Sequence, residues 1–340
     1  MKKLLIASAA LAMVAGTAQA QSSVTIYGAV GASSTNTELA NVKGPTSFQS
    51  AAQDYLGTTA LGLKGTEDLG GGNKAFFALE GDLSMSGTLG SADTSGNNIF
   101  NRQAHVGVET KYGTVSAGRQ NDSIKDLTGL GQVYNLSDNL HINTQVGARY
   151  ASAFKYASPT INGFKASYTY SADAANTGSA TSTTAASTVD GAKTLNSFAL
   201  SYTYQNYNFG VGQGKVSDNT VTNDVETTYL GARATFGNFT VGAHYAMNEQ
   251  GANELNQTMV SVNYTMGNID LKAHYVTNDA KGAVIGTAGV STSDGKGYGL
   301  MGVYNLSKRT AAYVGYADFD QTDVATYDQK VTTVGILHKF

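Results

Sequence analysis

The chain has 340 residues and no cysteine, so a disulfide-stapled scaffold is excluded. Charged residues make up 14% of it, well below the roughly 25% of ordinary soluble domains, and the mild acidity, a formal −3, argues against a nucleic-acid partner, since no basic stripe is available to track phosphates. Glycine (40) and tyrosine (20) are abundant and proline numbers 2, a balance that suits a β-barrel with a lipid-facing belt.

At the start of the chain, Lys2 and Lys3 precede an apolar run over 4–16, and Ala18-Gln19-Ala20 has the small-x-small pattern of a cleavage site. Residues 1–20 therefore read as a signal peptide, and 21–340 as the barrel domain. Removing Lys2 and Lys3 from the 22 basic residues leaves 20 against 25 acidic ones, a formal −5. No later segment approaches the ~18 apolar residues of a membrane-spanning helix.

After Gln21, apolar and polar residues alternate in a pattern that predicts sixteen strands: 24–32, 55–66, 73–86, 100–110, 113–120, 146–157, 163–172, 195–205, 207–217, 225–236, 238–248, 255–266, 268–278, 296–306, 309–319 and 329–340. Seven connections are tight turns, and eight are longer stretches near 33–54, 87–99, 121–145, 173–194, 218–224, 249–254, 279–295 and 320–328. Sixteen strands with both ends on the turn side require that count. The short-long asymmetry is that of an outer-membrane barrel with short periplasmic turns and long external loops. The stretch 174–192 has no apolar periodicity and reads as a flexible external loop.

The last stretch sets Val334, Ile336, His338 and Phe340 on one face and Thr333, Gly335, Leu337 and Lys339 on the other. Pairing it with 24–32 would close the meander into a cylinder without edges. Elsewhere Phe239, Val241, Ala243 and Tyr245 alternate with Thr240, Gly242, His244 and Ala246. Sixteen strands enclose too wide a space for side chains to fill, so the apolar face must look outward. Tyr27, Tyr168, Tyr170, Tyr202, Tyr204, Tyr245, Tyr264, Tyr275 and Tyr316 are then the expected interfacial girdles.

On these residues the chain resembles the general diffusion porins of the neisserial and betaproteobacterial type along nearly all of its length. The matching stretches are V-T-I-Y-G at 24–28, G-L-K-G-T-E-D-L-G-G-G at 62–72, F-N-R-Q-A at 100–104, G-R-Q-N-D-S-I-K-D at 118–126, K-Y-A-S-P at 155–159 and the terminal G-I-L-H-K-F. The resemblance implies an all-β, 16-stranded antiparallel transmembrane barrel in the outer membrane of a Gram-negative bacterium, a homotrimer, and a third external loop folded into each lumen. It also implies passive passage of ions and small hydrophilic solutes, contact with outer-membrane lipids including lipopolysaccharide, no cofactor and no enzymatic activity.

The third loop, 121–145, is the longest and carries Ile124, Leu127, Leu130, Val133 and Leu136, which could pack it on the inner wall. On the following strand Arg149, Ala151, Ala153 and Lys155 share one parity, and Ala148, Tyr150, Phe154 and Tyr156 the other. A lipid-facing Arg at mid-depth costs about 2–4 kcal/mol, so Arg149 and Lys155 are assigned to the lumen. The family places basic pore residues at the positions of Arg149, Lys155 and Lys125. Glu80, sharing parity with Lys74 against Phe77 and Leu79, is the leading acidic wall residue, with Asp122, Asp126 and Asp138 as loop carboxylates. Opposed charges across a narrow aqueous gap would bias ion passage, here weakly toward anions.

Two positions depart from the family pattern. Ala60 stands where related porins often carry Arg. Arg102 matches a basic position, yet it shares parity with Ala104, Val106 and Val108; either a bulge shifts the register there, or Gln103 and His105 are the lumenal pair. A substrate-specific channel, a barrel enzyme and an adhesin are the alternatives. None of the five histidines sits in a nucleophile-base motif. His244 and His274 lie two strands apart, about 10 Å at ~4.8 Å per strand, which makes a shared metal difficult. G-V-G-Q-G at 210–214 imitates a nucleotide loop, but no helix follows it.

Overall fold

The computed structural model describes residues 23–39, 42–43, 47–49, 53–54, 56–84, 89–93, 96–133, 148–172, 193–218, 224–282, 294–321 and 328–340. Residues 1–20, the stretch 174–192 and Asp138 lie outside them. The wall consists of sixteen strands: β1 (Ser23–Leu39), β2 (Ala60–Gly70), β3 (Asn73–Asp82), β4 (Gln103–Thr110), β5 (Gly113–Asn121), β6 (Arg149–Ala157), β7 (Phe164–Ser171), β8 (Lys193–Tyr204), β9 (Tyr207–Asp218), β10 (Val225–Phe236), β11 (Phe239–Gln250), β12 (Asn253–Met266), β13 (Ile269–Lys281), β14 (Gly295–Asn305), β15 (Thr310–Gln321) and β16 (Gln329–Lys339). Each pairs antiparallel with its neighbours, and β16 pairs with β1, so the sheet is closed.

Closure uses a different stretch of β1 from the one the alternation suggests. Only Ala29 to Leu39 pair with β16, whereas Ser23 to Ala29 pair with β2. The strand therefore changes partner near Ala29. The upper edge that β2 leaves open is taken by Ser47–Gln49, which pairs with Thr35 to Ser33. The expected end at residue 32 falls short because S-S-T-N-T at 33–37 carries no apolar alternation, while the backbone bonds to β16 continue.

The other differences are local. The expected loop at 249–254 is a two-residue turn, with Gln250 opposite Asn253 and Gly251 at φ 64°, a left-handed value that glycine adopts without strain. The second strand begins at Ala60 rather than 55.

Outward positions are apolar: Phe239 and Tyr245 on β11, Leu271 and Tyr275 on β13, and Val334 and Ile336 on β16 are all exposed. Aromatics form two tiers, with Tyr204, Tyr207, Phe236 and Phe239 beside the turns and Tyr168, Tyr245, Tyr275 and Tyr298 further up the strands. Tyr27 is not in either tier. It turns inward and donates a hydrogen bond to Glu80 Oε2 at 2.9 Å.

The inner face is not uniformly polar either. Leu195, Val216, Val225, Tyr229 and Leu255 form one buried cluster with Ile124 and Leu127, and Met259, Val276, Met301, Tyr313 and Phe319 form another. Leu130 packs against the first cluster, and Leu56 and Val133 against the second.

Candidate functional site

Past Asn121 the chain turns into the barrel. The Asp122 amide donates to Ala148 O at 3.0 Å, and the Asp122 carboxylate accepts the Lys125 amide at 2.7 Å. Two tight turns follow, Leu127 N to Ile124 O and Leu130 N to Leu127 O, both at 2.8 Å, and Thr128–Leu130 forms one 3-10 turn. This spacing aims Ile124, Leu127 and Leu130 at the inner wall.

The wall is shaped to receive them. A Cβ added at Gly210 would stand 2.7 Å from Leu130 Cδ1, one at Gly212 would stand 2.9 Å from Ile124 Cγ1, and one at Gly242 would stand 2.5 Å from the Leu130 carbonyl. The glycines of G-V-G-Q-G thus form part of a seat on β9. Wall donors fix the loop backbone from below: Tyr229 Oη to Leu127 O at 3.2 Å, Arg233 to Gln132 O at 2.5 Å, and Ser261 Oγ to Gly131 O at 2.6 Å. In return the Val133 amide donates to Ser261 Oγ at 3.2 Å. The loop therefore lies along β9 to β12, and β3 to β6 are left as the charged wall.

On that wall Arg102 bridges two carboxylates, Glu80 at 2.6 Å and Asp82 at 3.0 Å. It stands in a bend just before β4, with its amide on Glu80 O at 3.0 Å, so strand parity does not govern its direction. Gln103 and His105 also face inward, paired with Glu80 and Ala78. Asn101 completes the group by donating to Asp82 at 2.7 Å, while Arg119 donates to Asn101 O at 2.5 Å.

Arg149 lies within electrostatic reach of Arg102, Glu80, Asp82 and Arg119, and its Nε is buried without a hydrogen bond. Strand parity does not carry across to it from Lys155, because a bulge intervenes. Gly118 pairs with Ala153 but Gln120 with Tyr150, and Ser152 takes φ 52°. Tyr150, expected to face lipid, is instead 1% exposed beside buried Gln120. Below the bulge, Lys155 forms an ion pair with Asp126 of the loop and donates to Asn121 O at 3.1 Å.

Of the expected site residues, Glu80, Arg102 and Arg149 gather on one wall, Lys155 meets Asp126, and Lys125 and Asp122 occupy the first turn of the loop. Asp122 is fully buried and caps that turn, so its charge is not presented to the water path as expected. Asp82 and Arg119 on the charged wall, and Arg233 and Lys272 on the other, join the site without having been expected from sequence. Asp82 shares parity with Glu80 and was legible on that ground. His244 lies beneath Gly131 with Nε2 3.1 Å from Gln257 Oε1, which makes it a support of the seat.

Comparison with known proteins accords with this geometry. A family model described as Gram-negative porin matches residues 7–324. Outer membrane porin protein 32 of Delftia acidovorans is 37% identical over 194 residues, 51% of this chain and 50% of that protein. An outer membrane porin protein of Bordetella pertussis is 31% identical over 247 residues, 64% of this chain and 63% of that protein. The matched stretches thus span between half and two thirds of those relatives. The solved anion-selective porin from Comamonas acidovorans superimposes with a TM-score of 0.72 at 23% identity, covering 94% of this chain and 100% of that one.

Proposed function

Because the chain belongs to the Gram-negative porin family, we propose that it forms a water-filled channel across the outer membrane, through which ions and small hydrophilic solutes diffuse with a weak preference for anions. The observation that carries this reading is the loop Asp122 to Val133, seated on one inner wall by glycines and wall donors while an ionised wall stands opposite. An apolar exterior and an obstructed, charged interior are what a diffusion filter requires. No step needs a cofactor, an energy source or a catalytic group.

The anion preference follows from the charges at the narrowing. Among the described residues Arg102, Arg119, Arg149, Lys125 and Lys155 gather there, against Glu80, Asp82, Asp122 and Asp126. The similarly folded Comamonas protein is described as anion-selective. Residues 1–20 would direct export, leaving 21–340 as the barrel domain.

Three copies would assemble through the arc from β16 to β5. The exposed large apolar side chains on its strands are aliphatic, Val24, Ile26, Leu69, Val106, Val108, Val115, Val334 and Ile336, whereas β6 to β14 carry exposed tyrosines and phenylalanines alongside aliphatics. The aromatic arc suits lipid, including lipopolysaccharide, and the aliphatic arc suits a second copy. Single-channel recording of refolded protein tests the whole reading: steps closing in threes and an anion-signed reversal potential are expected. Saturation of liposome swelling by one sugar would favour a substrate-specific channel instead.

A further inference from the structure

Two cations of the charged wall are ion-paired, Arg102 with Glu80 and Asp82, and Lys155 with Asp126. The opposite wall differs. Arg233 donates to a neutral carbonyl, Gln132 O, at 2.5 Å, and its Nε is buried without a hydrogen bond. Lys272 donates to a neutral amide, Asn263 Oδ1, at 2.8 Å. The neighbouring carboxylate, Asp270, is held by Thr265 at 2.6 Å and Asn305 at 3.0 Å and lies within electrostatic reach of Lys272.

The two cations stand three strands apart on the inner wall, and Arg233 is within electrostatic reach of Lys272. Arg233 pairs with Gly242, which pairs with Ser261, which pairs with His274. Lys272 is the next inward position on β13 below His274. The register positions between them, Gly242 and Ser261, are small and uncharged, and a third cation, Lys339, is within electrostatic reach of Lys272. Among the described residues three cations, Arg233, Lys272 and Lys339, thus stand against one carboxylate, Asp270, which leaves net positive charge for a visiting ion.

We propose that Arg233 and Lys272 form a binding station for small oxyanions, of the inorganic phosphate class, beneath the seated loop and facing the Glu80–Arg102 wall. This deepens the channel reading and rests on it for its physiological role: an anion that passes the narrowing meets a second site on the far wall. Two weak sites in series allow entry without trapping, whereas one strong site would hold the ion.

The test is inorganic phosphate added to wild-type protein and to Lys272→Gln, Arg233→Gln and, as a control outside the lumenal site, Lys281→Gln, which is exposed and paired with Glu254. Two readouts are used, the chloride current in planar bilayers and phosphorus NMR line broadening in detergent. Expected are a saturable fall of chloride current and saturable broadening in the wild type. Affinity should weaken about tenfold in Lys272→Gln and in Arg233→Gln, as loss of one charge-assisted hydrogen bond requires, and persist in Lys281→Gln. Lys272→Gln is the decisive variant, because Lys272 donates to the wall residue Asn263 while Arg233 donates to the loop. Broadening equal in wild type and Lys272→Gln, or none in either, overturns the station. Broadening that depends on Lys272 in a protein that passes no current supports the station and refutes the channel reading.

Discussion

Phe340 and Gly28 exchange two backbone hydrogen bonds, the Phe340 amide donating to Gly28 O at 3.0 Å and the Gly28 amide to Phe340 O at 3.2 Å. The last residue thereby closes the cylinder at its lower end, and its ring lies over the glycine, where an added Cβ would stand 2.7 Å from Cζ. The same Cβ would stand 2.3 Å from the Ala60 carbonyl, so Gly28→Val should force β1 and β2 apart as well as displace the ring, costing at least about 1–3 kcal/mol through overpacking. Deleting Phe340 should remove both bonds. Heat-modifiable mobility on gels measures the result, with a lower transition temperature expected for each variant.

Gly242 is the tightest point of the loop seat, where a Cβ would stand only 2.5 Å from the Leu130 carbonyl. Gly242→Val should push the segment at Leu130 and Gly131 away from the wall into the water path. Single-channel conductance should fall and larger sugars should enter liposomes more slowly. Unchanged conductance and swelling would show that the loop is not confined by this contact.

Arg102 holds Glu80 and Asp82 together, all three side chains being largely buried at 13%, 12% and 21% exposure. Arg102→Gln leaves two carboxylates without their counter-ion, so reversal potentials should move toward cation preference, and stability should drop by roughly 1–3 kcal/mol. Glu80→Gln should move selectivity the opposite way. The pair of shifts, read in the same salt gradient, separates a charge effect from a general loosening, which would change both variants alike.

Ser152 sits at φ 52°, a left-handed conformation that a serine adopts at a cost and a glycine does not. Ser152→Gly should be neutral or stabilising by up to about 1 kcal/mol, whereas Ser152→Val should be strongly destabilising. If the valine variant matches wild type in thermal unfolding, the bulge is not what turns Tyr150 inward.

The wall was legible in the amino acids because a strand exposed to lipid on one side alternates with period two, and β10 could be bounded at 225–236 from pattern alone. Charges on regular stretches, such as Glu80 and Lys155, could be assigned to a face for the same reason. Parity stopped informing where the ladder stopped being regular. Arg102 precedes its strand, Tyr150 lies past a bulge, and the polar upper half of β1 has no alternation to read. The loop seat was hidden for a different reason: Gly210, Gly231, whose added Cβ would stand 3.1 Å from Leu130 Cβ, and Gly242 lie on three successive strands, and only the pairing of β9, β10 and β11 gathers them under the loop.

The change of partner along β1 bears on the order of assembly. Its lower half can dock on β2 as soon as the first hairpin exists, a short-range event. Its upper half must wait for residues nearly the whole chain away, as the contact between the Thr35 and Thr333 hydroxyls, 298 positions apart, makes plain. One β-strand thus spans the earliest and the latest steps of folding, and until the final one arrives the upper rim carries an unsatisfied edge, the time at which a nascent molecule is most prone to aggregate.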